Sequence, residues 1–254
     1  MVENITDLSE KKAVVVGATS GLGRTIAIGL ARSGADVFPT GRRENLVKEV
    51  CDEIHNLGRN TLETTVDISN RDLINTLVKK VGNIDILVNA AGITARKPTI
   101  DISEIEWSEI LDANLTGMLR TCQAFYETLK KSKNARIINI ASLSSFVSFH
   151  EVAAYSVSKA GVLALTRSLG SEWAKALVPR IFRTNLNADR LESFAVADGL
   201  TQTFQKIKSN YSLPQIVLTS AYEKSKSFNY FVSAFFNHSF VCLCRQRTIF
   251  RSPL

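Results

Sequence analysis

The chain has 254 residues, 45% hydrophobic and 22% charged, enough for one large α/β domain with a sizeable buried core. No apolar run approaches the roughly 20 residues of a membrane helix. The acidic start, residues 1–7, does not read as a secretory signal, and Cys51, Cys122, Cys242 and Cys244 form no disulfide framework, so a cytoplasmic location is expected. The net charge of +7 does not mark nucleic-acid binding, because seven basic residues against the single acid Glu223 place +6 of it from Gly199 onward.

Short apolar runs alternate with amphipathic stretches over the first 175 or so residues, the pattern of βαβ units around a parallel sheet. In chain order, strands are predicted at 13–16, 36–38, 62–66, 84–88 and 136–140. Helices are predicted at 22–33, 44–57, 71–81, 104–131 and 153–176. Pro39 is expected to end the second strand, since it cannot donate to a central ladder. Residues 177–184 read as the remnant of a sixth strand and its turn. Beyond Gly199 acids nearly vanish and no βα rhythm continues; eight of the thirteen phenylalanines lie from Phe194 onward. The organisation expected is therefore a domain at 1–198 and an atypical basic, Phe/Ser-rich tail at 199–254. The tail's composition suggests a frameshift or altered splice. Loss of the final elements is expected to leave the sheet edge uncovered.

Two patterns carry chemistry. The first strand runs into Gly17-Ala18-Thr19-Ser20-Gly21-Leu22-Gly23, where glycines permit a tight turn and let a pyrophosphate rest on a helix N-terminus. A glycine turn with no ligand is the alternative. Tyr155 and Lys159 stand four apart on a predicted helix and share a face. A cation there favours phenolate and lowers the tyrosine from its ordinary pKa of about 10, making it a proton donor and acceptor near neutral pH. The same spacing recurs at Tyr222 and Lys226, but without a glycine loop or upstream serine. Other candidates are weaker. Cys242 and Cys244 with His238 lack a fourth ligand, so no metal site is expected. The run 231–236 is aromatic but short, and His150 reads as a surface histidine.

Taken together, Gly17-x-x-x-Gly21-x-Gly23, Asn89-Ala90-Ala91-Gly92, Asn114, Ser142 and Tyr155-x-x-x-Lys159 resemble the short-chain dehydrogenase/reductase family, from about residue 8 to 173. The resemblance implies a Rossmann-like, doubly wound parallel sheet with helices on both faces, its C-terminal strands here truncated or replaced. It implies an NAD(P)-dependent oxidoreductase that interconverts a secondary alcohol and a ketone. By the family's motif, Ser142 polarises the substrate carbonyl, Tyr155 transfers the proton, Lys159 tunes the tyrosine and holds the ribose, and Asn114 supports a proton relay. A satisfied polar residue at a helix kink is the other reading of Asn114. Ser144 and Ser145 read as loop hydroxyls or substrate contacts.

The same resemblance implies cofactor contacts from Gly17, Thr19, Ser20, Gly21, Leu22 and Gly23, from Asp67 and Ile68 at the adenine, and from Asn89, Ala90, Ala91 and Gly92 at the ribose. Thr184 matches the residue that holds the carboxamide. Asp67 also fits a plain acid before a helix, and 89–92 a plain turn. Gly41 occupies the family's acidic position and Arg42 and Arg43 follow it. Arginine suits a 2′-phosphate, so NADP(H) is expected in preference to NAD(H). Arg180 stands where the family has glycine, which puts cofactor approach there in question.

The partners expected are a small carbonyl or alcohol substrate, no nucleic acid and no membrane. Within the family, 137–145 and 182–189 look most like gluconate-type dehydrogenases, with 3-oxoacyl-carrier-protein reductases second. The resemblance implies a homodimer or tetramer, with dimerisation through 104–131 and 153–176. A catalytically impaired relative and a tail-mediated interaction protein are the rival readings.

Overall fold

The computed structural model describes residues 7–177 together with two short strands, Val217–Leu218 and Val241–Cys242. Along the chain run β1 (Lys12–Val16), α1 (Gly21–Arg32), β2 (Asp36–Gly41), α2 (Glu44–Asn56), β3 (Thr64–Thr65), α3 (Arg71–Val81) and β4 (Ile86–Asn89). There follow α4 (Glu104–Leu111), a π-helical turn (Asp112–Thr116), α5 (Gly117–Leu129), β5 (Arg136–Ile140), α6 (Ala153–Leu177), β6 (Val217–Leu218) and β7 (Val241–Cys242). All described pairings are parallel, in the order β3-β2-β1-β4-β5-β6-β7.

Each central strand is buried on both faces, so alternate side chains enter two different cores. Ala13 and Val15 of β1, with Ile86 and Val88 of β4, pack against Ile26 and Leu30 of α1 and Val50 and Ile54 of α2. Val14, Val16 and Leu87 face the other way, onto Ile74 and Leu77 of α3, Phe125 and Leu129 of α5 and Val162 of α6. Helices thus cover both faces, and the doubly wound reading holds. Because the chain winds outward from β1 through β2 to β3 and then returns to β4, a crevice opens at the C-terminal ends of β1 and β4, the place where such sheets bind ligands.

Four expectations are corrected. Pro39 does not end β2; it lies inside it, opposite Val15. Residues two apart in a strand turn the same edge, and Val37 N–H donates to Asn60 O on the β3 side. Pro39 therefore aims its missing donor where the β3 ladder, which begins at the Thr40–Thr64 pair, has not yet started. The third strand shrinks from 62–66 to Thr64–Thr65. The single helix expected at 104–131 is broken by the π-helical turn, which inserts a wide loop of backbone between α4 and α5. The edge beyond β5 is partly covered, since Asn139 and Ile140 pair with Val217 and Leu218 of the tail. The proposed remnant at 177–184, Thr184 and Arg180, the second Tyr-Lys pair, the run 231–236 and His238 lie outside the described residues, and nothing is described of the Cys242 and Cys244 side chains.

Candidate functional site

The glycine turn is shaped by contacts that leave no room for side chains. Gly17 has φ +82°, and a Cβ there would meet Ala91 N at 2.4 Å; one on Gly23 would meet Gly17 O at 2.1 Å. Gly17 is therefore the point where the β1 and β4 exits touch, an approach reinforced by Ala90 N–H donating to Val16 O at 2.9 Å. Gly21 differs: its φ is +53°, but a Cβ there would find nothing within 4 Å. Open space there faces the first turn of α1, which carries no acid and whose N-cap Ser20 makes no side-chain capping bond. The Ser20 and Thr19 hydroxyls instead accept from Arg43 Nη2, at 3.0 and 2.9 Å. Uncapped N–H groups, a guanidinium and an open glycine together suit a dianionic pyrophosphate.

Exposed Arg42 stands near Asp67. Asp67 is held below the usual carboxylate range, first by the Ser69 N–H, then by the Ser69 hydroxyl, with Arg42 and Arg120 adding attraction against the cost of burial. It closes a turn rather than capping α3; that cap is Asn70, which accepts from Asp72 N and Leu73 N. The neighbouring Ile68 packs so closely on the π-helical turn that a Cβ on Gly117 would lie 2.7 Å from its Cδ1.

Asn89 is buried, and its side chain belongs to a polar network through the core. It accepts from Thr121 Oγ1 at 2.7 Å and donates to Asn139 Oδ1 at 2.8 Å, while Asn139 donates to Thr166 Oγ1 at 2.9 Å. The network ties β4 and β5 to α5 and α6. Cys122, also within it, has its thiol pushed up to about 12 by burial. What 89–92 offers the crevice is therefore backbone and the small Ala90, Ala91 and Gly92.

The other side of the crevice is assembled by hydrogen bonds. The π-helical turn lets Asn114 point inward, 2% exposed, where Oδ1 accepts from Ile93 N at 2.7 Å and Nδ2 donates to Ile93 O at 2.8 Å and Ser158 Oγ at 2.9 Å. Ser158 in turn donates to Tyr155 O at 2.7 Å. Lys159 is 5% exposed and donates to Ile140 O at 2.8 Å, with Nζ 5.8 Å from the Tyr155 ring centroid. A methyl group on Gly92 would lie 3.1 Å from Asn114 Oδ1 and 3.4 Å from Lys159 Nζ, so amide and ammonium converge on that glycine. Both readings of Asn114 meet here: it is a satisfied polar residue at a kink, and it borders Lys159.

Ser142 follows β5, 6% exposed, and its Oγ accepts from Ser144 N at 3.2 Å. Ser145 is more than a loop hydroxyl: it accepts from Ser142 N at 3.3 Å and donates to Lys159 O at 2.8 Å. It joins the Ser142 loop to α6. Ser142 and Ser145 close a capping box around the short turn between them, without the Glu or Gln that marks such a box in a sequence. Nothing in the sequence marks Ser158 or the Ile93 and Ile140 backbone. His150 is exposed and lies 3.5 Å from Glu151, which also pairs with Arg96 at 3.2 Å. Among the described residues, a cavity of about 340 Å³ lies by Cys51, His55 and Leu62, and one of about 250 Å³ by Lys12, Asp85 and Ser132, neither lined by the site residues. No described group of His, Cys, Asp and Glu could hold a metal ion, and no described helix is long and apolar enough to cross a membrane.

A parallel sheet of this order, with a glycine turn at its switch point, defines a dinucleotide-binding type of α/β protein. The short chain dehydrogenase family model matches residues 11–192. A 2-dehydro-3-deoxy-D-gluconate 5-dehydrogenase of Escherichia coli is 32% identical, the alignment covering 87% of this chain and 92% of that protein. A solved structure from Beutenbergia cavernae, assigned as an NAD(P)-dependent gluconate 5-dehydrogenase and containing NADP at low occupancy, is 39% identical with TM-score 0.64, covering 67% of this chain and 70% of its own. A structure assigned as a short-chain alcohol dehydrogenase of Sinorhizobium meliloti has TM-score 0.71 at 27% identity, covering 94% of this chain and 96% of its own. The chain belongs to the short-chain dehydrogenase family, NAD(P)-dependent oxidoreductases that act on hydroxyl-bearing carbons.

Proposed function

We propose that the chain interconverts a secondary alcohol and a ketone with Tyr155 as acid and base, and that it prefers NADP(H). The observation that carries the reading is the convergence at Gly92: the Lys159 ammonium and the Asn114 amide meet there, and Lys159 Nζ sits 5.8 Å from the Tyr155 ring centroid. In the oxidative direction the hydroxyl proton passes to the Tyr155 oxygen, and NADP, when bound, would supply the acceptor for the hydride that leaves the carbinol carbon. Lys159 supplies positive charge that favours the phenolate. Ser142 already accepts from Ser144 N–H, which orients its own O–H to donate to the substrate oxygen as charge develops. Asn114, fixed on both Ile93 backbone groups, stands where a proton relay from Lys159 would pass.

The pyrophosphate is assigned to the α1 N-terminus with Thr19, Ser20, Gly21, Leu22 and Gly23, the ribose to Tyr155, Lys159 and 89–92, and the adenine to Asp67 and Ile68. Arg42 and Arg43, beside a Gly41 with no carboxylate, are assigned to the 2′-phosphate. Thr184 keeps its proposed role at the carboxamide. The relatives named for gluconate and its deoxy derivative support a sugar acid as substrate. Self-association as a homodimer or tetramer is assigned to α5 and α6 and is checked by sedimentation.

The test is a fluorescence titration with NADPH together with turnover of D-gluconate and 2-dehydro-3-deoxy-D-gluconate in the presence of NADP. Tyr155→Phe should lower kcat by about 10³-fold or more, with a far smaller loss of NADPH affinity from the ribose contact it gives up. Binding without any wild-type turnover of a wider alcohol and ketone panel would convert the reading to a non-catalytic nucleotide binder. Replacing Arg42 by Ala, which leaves Arg43 on the Thr19 and Ser20 hydroxyls, should weaken NADPH about 10-fold and NADH hardly at all.

A further inference from the structure

The π-helical turn that presents Asn114 is spanned by an ion pair. Asp112 opens the turn, and Arg120 lies one turn beyond its end, on α5. Arg120 Nη2 donates to Asp112 Oδ1 at 2.7 Å and Nη1 to Asp112 Oδ2 at 3.1 Å, a two-pronged contact across the widened backbone. The same Nη1 reaches Ile68 O at 3.4 Å. Side-chain exposures of 20% for Arg120 and 34% for Asp112 leave the pair partly shielded from water. The guanidinium also favours the charged form of Asp67. Beneath it, Ile68 is packed against Gly117 with no space for a Cβ. One side chain thus touches the first residue of the turn that presents Asn114 and the loop assigned to the adenine.

A π-helical turn is rare and occurs mostly as a single-turn bulge inside an α-helix. Asn114 holds it from inside, and the Arg120–Asp112 pair holds it from outside. We propose that Arg120 is a positioning residue, whose clamp on Asp112 and contact with Ile68 O couple the register of Asn114 to occupancy of the adenine loop. The inference rests on the roles proposed above for Asn114 and Asp67. It adds that the two are mechanically joined.

The experiment uses the full chain as wild type, Arg120→Met, Arg120→Lys, Asp112→Asn, Asn114→Ala and the double variant Arg120→Met/Asp112→Asn. NADPH affinity is read by fluorescence, turnover with D-gluconate or 2-dehydro-3-deoxy-D-gluconate and NADP, and folding by thermal melting. Arg120→Met should lower kcat about 10- to 100-fold, as expected for a displaced relay group, with substrate KM changed less than about twofold. It should raise the NADPH Kd about three- to tenfold. Its pH profile for kcat should shift in the same sense as that of Asn114→Ala, and Arg120→Lys should recover part of the loss. The double variant should be no slower than the slower single one, since both disrupt one device.

Unchanged kcat and Kd in Arg120→Met would overturn the proposal, as would additive losses. A fall in kcat with an unmoved pH profile that tracks melting would reduce Arg120 to a structural residue. Should wild type bind NADPH without turnover, an unchanged Kd in Arg120→Met overturns the coupling, while a rise reproduced by Asp112→Asn sustains it. A wild type that binds neither NADPH nor NADH overturns the nucleotide reading and the coupling together. Wild-type turnover with an unaffected Arg120→Met overturns the coupling alone.

Discussion

On the β1 side of the crevice the chain is shaped by side chains that are missing, and on the β5–α6 side by polar side chains that are buried. Gly17 and Gly23 let backbone lie against backbone at distances no Cβ could share. Across the crevice, Asn114, Ser158, Ser145 and Lys159 set their positions by hydrogen bonds of 2.7–3.3 Å to one another's neighbours and to main chain. The first side admits no side chain at Gly17 or Gly23 without a clash. The second is specific because each buried polar group would be left unpaired elsewhere. Damage should therefore look different on the two sides, steric and structural on one, chemical and directional on the other.

The sharpest way to break that comparison is Gly17→Ala. A methyl group 2.4 Å from Ala91 N on a backbone with φ +82° should cost about 3–5 kcal/mol, measured by urea unfolding. A normal unfolding curve would mean that the β1 and β4 exits separate easily. Next comes Asn114→Ala, which strips partners from Ile93 N–H and C=O and should cost about 2 kcal/mol while removing most turnover. A loss of stability without loss of turnover would make Asn114 a kink residue alone. Gly21→Ala should cost only about 1 kcal/mol, for its φ of +53°, because nothing lies in the way; its effect should fall on NADPH affinity.

The smallest effect concerns the start of α4, the helix that precedes the turn carrying Asn114. There Glu106 accepts from Ser103 N and Oγ and pairs with Lys97 at 2.9 Å. These contacts, the Ser103 N–H first, lower its pKa from 4.5 to about 2. A carboxyl depressed on folding stabilises the native state above its unfolded value near 4.5, and that contribution disappears as pH falls toward 2. Glu106→Gln should accordingly melt slightly below wild type at pH 7 and together with it near pH 2. An equal gap at both pH values would mean that the charge is irrelevant there.

Much of this is legible in the linear chain. Apolar runs such as Val14-Val15-Val16 and Leu87-Val88, followed by 3.6-residue periodicity, are sufficient to specify a parallel α/β sheet, because strands buried on both faces must be continuously apolar. Positive-φ glycines and the Tyr155–Lys159 spacing are local signals, readable from neighbours a few residues away. Pro39 shows where local rules stop: its effect depends on which side of β2 a neighbour has yet to pair. The break at Asp112–Thr116 shows in the sequence only as an asparagine where a kink could fall, since 104–131 is helical by periodicity and the contacts that reward the widened turn, such as those of Asn114 with Ile93, reach 21 residues away. Sequence alone determined the family, the sheet and the residue types of the site. Tertiary structure alone decided that Asn89 is engaged in the core, that Ser145 bridges Ser142 to Lys159, and that Arg120 reaches both Asp112 and Ile68. Each includes a hydrogen bond between separate segments, Asn89 with Thr121, Ser145 with Lys159 and Arg120 with Ile68, and such bonds have no period along the chain.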